Sequence, residues 1–343
     1  MSSVVNESSS KELFNFIHPL DNDSISNMKA KDLRMFIALL DDYYLSMRND
    51  LGLDSSISFG VELEFEHAIR NKIEEEIRNL HFDDEWKIVN DISLIEGAEI
   101  DSPILYDKAK NWKELEEVCS VVQNYASICD KAGGHVHVGA HILDREKDTW
   151  LRLLRLWSTY ENVLFRFSYG ERLTARPSLS TYSPPIAELI NEKWNSFQYD
   201  SLYSILFNLS IRRDRAVNFN NVCALSDEFL PRNTIEFRCP NGTLDPVIWQ
   251  NNVNLFTKML LAIKNHSYDE SIVEKRHDLN SNELMKLEWY DEVYLQPSLE
   301  LADLVFDNNL DKINYLKQYL KSFEVKKKED SYPKAKVLTK EKK

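Results

Sequence analysis

An α+β protein built around a mostly antiparallel sheet is the fold that this sequence predicts. Two observations lead there. Short segments such as "SISFGVELEFEHA", "GGHVHVG" and "NTIEFRC" alternate apolar and polar residues, as strands with one buried face do. Amphipathic segments with apolar residues at three-to-four spacing lie between them, without regular βαβ alternation. Helices are therefore expected on one face of the sheet, with the other face left polar.

Each element follows from the chain in order. Residues 1–10 are expected to form a loose head, and residues 11–54 a helical extension. That extension holds "SKELFNFI" and then "MKAKDLRMFIALLDDYYLSMRNDL", where Leu33, Phe36, Ile37, Leu40, Tyr44 and Met47 recur at helical spacing. A core over about residues 55–265 opens with the strand "SISFGVELEFEHA". "NKIEEEIRNL" reads as a short helix, and "WKIVNDISL" and "GAEIDSPIL" as short strands, the second ended by Ser102-Pro103. Trp112, Leu115, Cys119, Val122, Tyr125, Ala126 and Cys129 form one helical stripe, stopped at Gly133-Gly134. After "GGHVHVG" comes a long amphipathic helix with Asp144 as its expected cap. The loop "YGERLTARPSLSTYSPP" carries Arg172 and Arg176. "SLYSILFNL" is helix-prone, "RAVNFNNVCAL" and "NTIEFRC" read as strands, and Asn241-Gly242 as a hairpin-type turn. A helix with Pro246 in its first turn closes the core. Residues 266–324 are expected to be helical, with Trp289 and Tyr290 packing, and residues 325–343 to be a basic flexible tail.

Charge and composition narrow the function. The formal net charge of -14 argues against generic nucleic-acid binding. Eight lysines against three acids from Val325 onward read as a solvated tail. Cysteines 119, 129, 223 and 239 form no C-x-x-C pair, so buried thiols of a reducing, cytoplasmic setting are expected. "MSSVVNESSS" lacks the form of a signal peptide, and no apolar run reaches the length of a membrane span. Neither G-x-x-x-x-G-K-[ST] nor G-x-G-x-x-G occurs, so an ATP site here would not use those loops.

The strand parities are more telling. Phe59, Val61, Leu63 and Phe65 share one face, and Glu62, Glu64 and Glu66 the other. Val136 and Val138 oppose His135 and His137; Val217 and Phe219 oppose Asn218 and Asn220; Ile235 and Phe237 oppose Glu236 and Arg238. Glu99 and Asp101 share a side. Taken singly, each pattern is what any strand with a wet face shows. Together they would gather Glu62, Glu64, Glu99, His135, His137, Glu236 and Arg238 on one face with no lysine. Adjacent carboxylates repel unless a cation or a proton intervenes. Carboxylates with a minority of imidazole favour Mg²⁺ or Mn²⁺ over structural zinc. Arginines nearby suit phosphoryl transfer.

"GVELEFE", "NDISL", "GAEIDSP", "GGHVHVG", "RAVNFN" and "TIEFRCPNGTLD", in this order, resemble the motifs of the amidoligase family over Ser58–Asn265. The resemblance implies ATP-dependent carboxylate–amine ligation on a glutamine synthetase-like fold, whose antiparallel sheet carries the catalytic residues on one face. It implies that Glu62, Glu64, Glu99 and Glu236 bind Mg²⁺, with Mn²⁺ as an alternative. His135 would orient the carboxylate, and His137 and Asn218 would bind the metal–nucleotide. Arg238 and Arg172 or Arg176 would meet phosphate charge, and Asp91 is a candidate base. Glu66 is expected to flank the strand. The implied partners are a small-molecule or peptide carboxylate and an amine, joined through an acyl phosphate. Loops outside the motifs set their identity.

Two other readings are kept. His135, His137 and His141 could hold zinc with Glu62 or Glu64 activating water, which makes a metallohydrolase. Alternatively, a non-catalytic binding module could retain the same fold.

Overall fold

A computed structural model describes residues 22–222, 233–280 and 294–321. The head, "SKELFNFI", Cys223, Trp289, Tyr290 and the basic tail lie outside the described residues.

Seven strands make one open sheet: β1 (Ser58–Phe65), β2 (Lys87–Val89), β3 (Ala98–Asp101), β4 (Leu105–Tyr106), β5 (Gly134–Gly139), β6 (Val217–Asn218) and β7 (Thr234–Phe237). The order is β2-β3-β1-β5-β7-β6, with β4 paired to the start of β1, and every pair is antiparallel. The helices, in order, are α1 (Ala30–Leu40), α2 (Arg70–Asn79), α3 (Ala109–Tyr125), α4 (Lys147–Ser168), α5 (Leu179–Tyr182) and α6 (Ala187–Phe197). They continue with α7 (Leu202–Leu209), α8 (Pro246–Asn265), α9 (Glu270–Leu279), α10 (Leu295–Val305) and α11 (Asn309–Leu320).

Register carries the alternation from strand to strand. Val61 lies opposite Val136, Val136 opposite Phe237, and Phe237 opposite Val217. Leu63 lies opposite Ile100, and Ile100 opposite Ile88. The result is one continuous apolar face, and a slip of one residue would turn a strand's apolar set to the wrong side. Three helices cover it with aromatic rings. Trp112 of α3 stacks on Phe59 at 4.8 Å, Trp157 of α4 on Phe237 at 5.8 Å, and Phe256 of α8 lies nearly parallel to Phe237 at 4.2 Å.

Gly97, at the entry to β3, has no room for a side chain: a Cβ there would stand 2.1 Å from the Phe65 carbonyl oxygen. We expect Gly97→Ala to lower stability by about 1–3 kcal/mol, read by chemical denaturation, because the backbone has to move apart. An unchanged midpoint would show that the approach is not tight.

Several local expectations are corrected by tertiary contacts. The helix expected from Met28 to Leu51 stops at Leu40. Beyond it, other parts of the chain claim the backbone: Arg48 N–H donates to Gln250 Oε1 at 2.9 Å, and the N–H groups of Leu51 and Leu53 donate to the Asp107 carboxylate. Helix α3 ends at Tyr125, because Ser127 forms a bridge with Glu66, so Cys129 lies past the helix while Cys119 is buried within it. Asp144 does not cap α4; it accepts from Glu146 N–H at 2.8 Å, ahead of the helix. Asn241-Gly242 makes no hairpin. Asn241 bridges Gly133, and the chain runs on to α8, capped by Asp245 with Pro246 in its first turn. The N-terminal segment and the C-terminal helices join the same hydrophobic core as the sheet, through Ile25, Phe36 and Leu40 and through Leu299, Leu316 and Tyr319. No helix among the described residues is long and apolar enough to cross a membrane.

Candidate active site

The other face of the sheet gathers the polar residues by the same register. Glu62 lies opposite Asp101 on one side and His135 on the other, and Glu64 lies opposite Glu99. His137 lies opposite Glu236, and Glu236 opposite Asn218. One lysine does enter this face: Lys87, on the edge strand, stands opposite Asp101, but its ammonium turns away to the Asp83 carbonyl oxygen.

Glu62 is the hub. His135 Nδ1 donates to its Oε2 and His137 Nε2 to its Oε1, both at 2.7 Å. His135 Nε2 also lies 3.4 Å from Glu64 Oε1, so this one ring spans two carboxylates. Glu64 takes the Gly133 N–H at 2.5 Å. Glu236 accepts from Asn218 Nδ2 at 2.7 Å and from Arg238 Nη1. His137 Nδ1 and Thr234 Oγ1 pair at 3.2 Å.

Three overlapping groups have ligand atoms within 4.8 Å of one another: Glu62, Glu99 and His135; Glu62, His137 and Glu236; and Glu64, Asp91 and Glu99. The electrostatics of crowding are visible in two residues. Burial pushes the Glu99 carboxyl up to about 10, helped by its hydrogen bond with Asp101 and by the charges of Glu62 and Glu64. Burial also opposes ionisation of Glu62, yet the two histidines outweigh it and hold this carboxylate well below its ordinary range. One carboxylate is thus kept charged while its neighbour keeps a proton.

The expected residues divide accordingly. Glu62, Glu64, Glu99, Glu236, His135 and His137 come together as the parities imply. Asp91 joins them from the loop after β2, its Oδ1 accepting from Ser93 N–H at 2.7 Å; its place is beside Glu64 and Glu99, among potential ligands. Arg238 lies at the edge of the cluster, its side chain 21% exposed. Asn218 is correctly placed but already committed: its amide nitrogen serves Glu236 and its oxygen accepts from Asn220 N–H.

Arg172 and Arg176, expected on the phosphate side, both turn toward backbone carbonyl oxygens. Arg172 is buried and donates to the carbonyl oxygens of Ile128 and Cys129. Arg176, also buried, donates to those of Pro240 and Arg238. Folding the arginine loop against β7 leaves carbonyl oxygens that need donors, and these two guanidinium groups supply them. Burial lowers the Arg176 guanidinium to about 10, against the pull of the Glu64 charge.

Glu66 braces the backbone, accepting from Ile95 and Lys131 N–H, and stands in none of the ligand groups. His141 sits in the turn after β5, with Nε2 3.1 Å from the Ser56 carbonyl oxygen, and it joins none of the ligand groups among the described residues. Asp101 and Thr234 were not chosen from sequence. Both follow from parity, two residues along from Glu99 and two before Glu236.

A family model described as "Putative amidoligase enzyme" matches residues 82–260, just over half of the 343-residue chain. The chain belongs to this family. No curated protein matches it. The family is one of enzymes, and its name points to amide-bond-forming ligases. In this amidoligase the matched span begins after β1, so Glu62 and Glu64 precede it. The fold nevertheless seats β1 in the middle of the matched sheet, between β3 and β5.

Proposed function

We propose that this amidoligase is an ATP- and magnesium-dependent carboxylate–amine ligase that forms its amide through an acyl phosphate. The observation that carries this reading is the sharing of Glu62 and Glu99 among three adjoining ligand groups on one sheet face. Such an oxygen-rich wall with two imidazoles fits Mg²⁺ or Mn²⁺. The raised Glu99 carboxyl supports the same fit: burial, the hydrogen bond with Asp101 and the neighbouring carboxylates all disfavour its charge, and a divalent cation would offset them. A glutamine synthetase-like catalytic sheet belongs to this reading, supported by the single polar face of an antiparallel sheet. So does a cytoplasmic setting, in keeping with the buried thiols of Cys119 and Cys239.

In this reading Glu62, Glu64, Asp91, Glu99, Glu236 and the two histidines hold the cations. Magnesium–ATP bound there would supply the phosphoryl group that activates a substrate carboxylate, with ADP leaving; attack by the amine would then form the amide as phosphate and the amine proton are released. Arg238 faces the charge on the transferred group: Glu236 keeps its guanidinium in place, and its Nε is buried without a hydrogen-bond partner among the described residues. Asn218 and Thr234 position Glu236 and His137. The substrates are a small-molecule or peptide carboxylate and an amine.

Calorimetry with Mg²⁺ and ATP tests the proposal directly. Wild type should bind nucleotide, and Arg238→Ala should bind it about 10–100-fold more weakly, the loss expected for a charge-assisted contact. ADP release should need an acid and an amine together. Failure of wild type to bind, or equal binding by the variant, would remove the site as drawn.

A second expectation concerns pH. The folded value of Glu99 is raised from 4.5 to about 10, so between those values the folded chain holds a proton that the unfolded chain has released. Its stability therefore falls as pH rises through that window. A divalent cation replaces the proton and removes the penalty. Mg²⁺ or Mn²⁺ should raise the Tm more at about pH 9 than at about pH 6. An equal or reversed shift would separate Glu99 from the metal.

A further inference from the structure

A cavity lies on the far side of α4 from the sheet. Trp157 of α4 rests on Phe237 of the apolar face, while Arg152 and Arg155 project from the opposite side of the helix. There α4, α6 and α9 enclose about 310 Å³, enough for a small ligand at the lower end of the usual range. None of the residues assigned to the sheet-face site lines it.

Its walls have three kinds of surface. The Arg155 guanidinium lies flat over the Trp194 ring, 3.8 Å from its centre. Leu151, Val273 and Tyr268 add apolar and aromatic surface. Glu270 and Glu274, side chains 47% and 52% exposed, stand at the mouth with Asp148. The arginines are less completely satisfied than this list suggests. Arg155 Nε lies 3.0 Å from Glu274 but off line, and Arg152 Nε is 3.8 Å from Glu270. Both Nε atoms are buried and neither makes a hydrogen bond among the described residues. A buried guanidinium N–H without an acceptor is costly, and a ligand carboxylate is the group that matches its geometry.

The balance of charge selects among ligands. Two guanidinium groups, with the His266 imidazole 3.0 Å from Glu270, stand against the three carboxylates of Asp148, Glu270 and Glu274, so a polyanion such as a nucleotide would meet repulsion at the mouth. A zwitterion meets none: its carboxylate faces Arg152 and Arg155, its ammonium faces Glu270 and Glu274, and its side chain lies against Trp194, Leu151 and Val273. We propose that this cavity is a binding site for a free apolar or aromatic α-amino acid, separate from the sheet-face site. Glu270, paired with His266 at 3.0 Å, and Glu274, paired with Arg155 at 3.0 Å, are half exposed, so the ligand ammonium would exchange for these solvent-screened pairs.

The test is a thermal-shift screen of the common apolar and aromatic L-amino acids at about 10 mM each, followed by calorimetry of those that bind. At least one should bind, one per chain. Its amide, which lacks the carboxylate, and its N-acetyl form, which lacks the ammonium, should each bind about tenfold more weakly or worse. Arg155→Gln should weaken binding similarly. Should loss of the Trp194 stack prevent folding, Arg152→Gln keeps the test, because that side chain hydrogen-bonds only to Thr149 within its own helix. Glu62→Gln should leave this binding unchanged. Absence of binding by every amino acid in the screen, or equal affinity in Arg152→Gln, would overturn the proposal. Binding lost in Glu62→Gln but kept in Arg152→Gln would also overturn it, and would assign the amino acid to the sheet face instead. A loss of nucleotide binding alone bears only on the ligase reading.

Discussion

Replacing Glu62 with Gln is expected to reduce amide formation on the order of 10³-fold, the scale of losing a preorganised charged group in an active site. The expectation comes from position. Glu62 belongs to two of the three ligand groups and receives both histidine rings at 2.7 Å. An amide keeps the shape but carries no charge, and it can satisfy only one of the two ring donors. Divalent cations should then bind far more weakly, and His135 and His137 should lose the carboxylate that orients them. Replacing Glu66, whose oxygens serve only backbone N–H groups, should act on stability and leave cation affinity alone. Calorimetry with Mg²⁺ and a denaturation curve on each variant separate the two effects. Normal cation affinity in Glu62→Gln would mean that the cation does not use this residue.

The second large effect lies far from the sheet face. Asp303 on α10 accepts from the backbone N–H of Ile25 and Ser26 at 3.0 and 2.9 Å, from the hydroxyls of Ser24 and Ser26, and from Lys312 Nζ at 2.7 Å. Lys312 in turn donates to the Asp23 carbonyl oxygen. One mostly buried carboxylate thus ties the N-terminal segment to two C-terminal helices. Asp303→Ala would strand a buried ammonium and two N–H donors, and should cost about 3–5 kcal/mol. The pH dependence follows from sign. Burial opposes its ionisation, but Lys312 and Ser26 outweigh that and hold the Asp303 carboxyl below its ordinary value of 3.8. Its contribution is therefore present above that pH and fades as acid protonates it. Urea denaturation at neutral pH and in acid should show the gap between wild type and variant closing in acid. A gap that stays constant would assign the loss to packing.

This tie joins parts of the chain that no local pattern connects. From sequence, residues 11–54 and 266–324 look like helical additions to a core. Nothing local in "DNDSISNM" says that its N–H groups will meet Asp303, a partner more than 270 positions away. The segment from Tyr43 to Leu53 is a similar case. Its apolar spacing is helical, but Gln250 and Asp107 offer its backbone better partners than the next turn of helix does.

What the sequence determined by itself was the face of each strand and the chemistry on it. Period-two alternation is a local property, so "GVELEFE", "GGHVHVG" and "TIEFRC" each announce which side chains go to the core and which to the polar side. The carboxylate-dominated set with His135 and His137 beside it was legible at that level; the departure of His141 from the sheet was not, because it shares their parity. Register, and everything that depends on it, was decided only by the tertiary structure. Opposite pairing is a choice between segments that can lie far apart in the chain, 73 residues for Glu62 and His135, and it places Glu62 between His135 and Asp101, with Asn218 behind Glu236. The arginines could not be placed from sequence for the same reason. A guanidinium in a loop goes wherever unpaired carbonyl oxygens are left by packing, and the fold turns Arg172 and Arg176 inward while leaving Arg238 at the edge of the carboxylates.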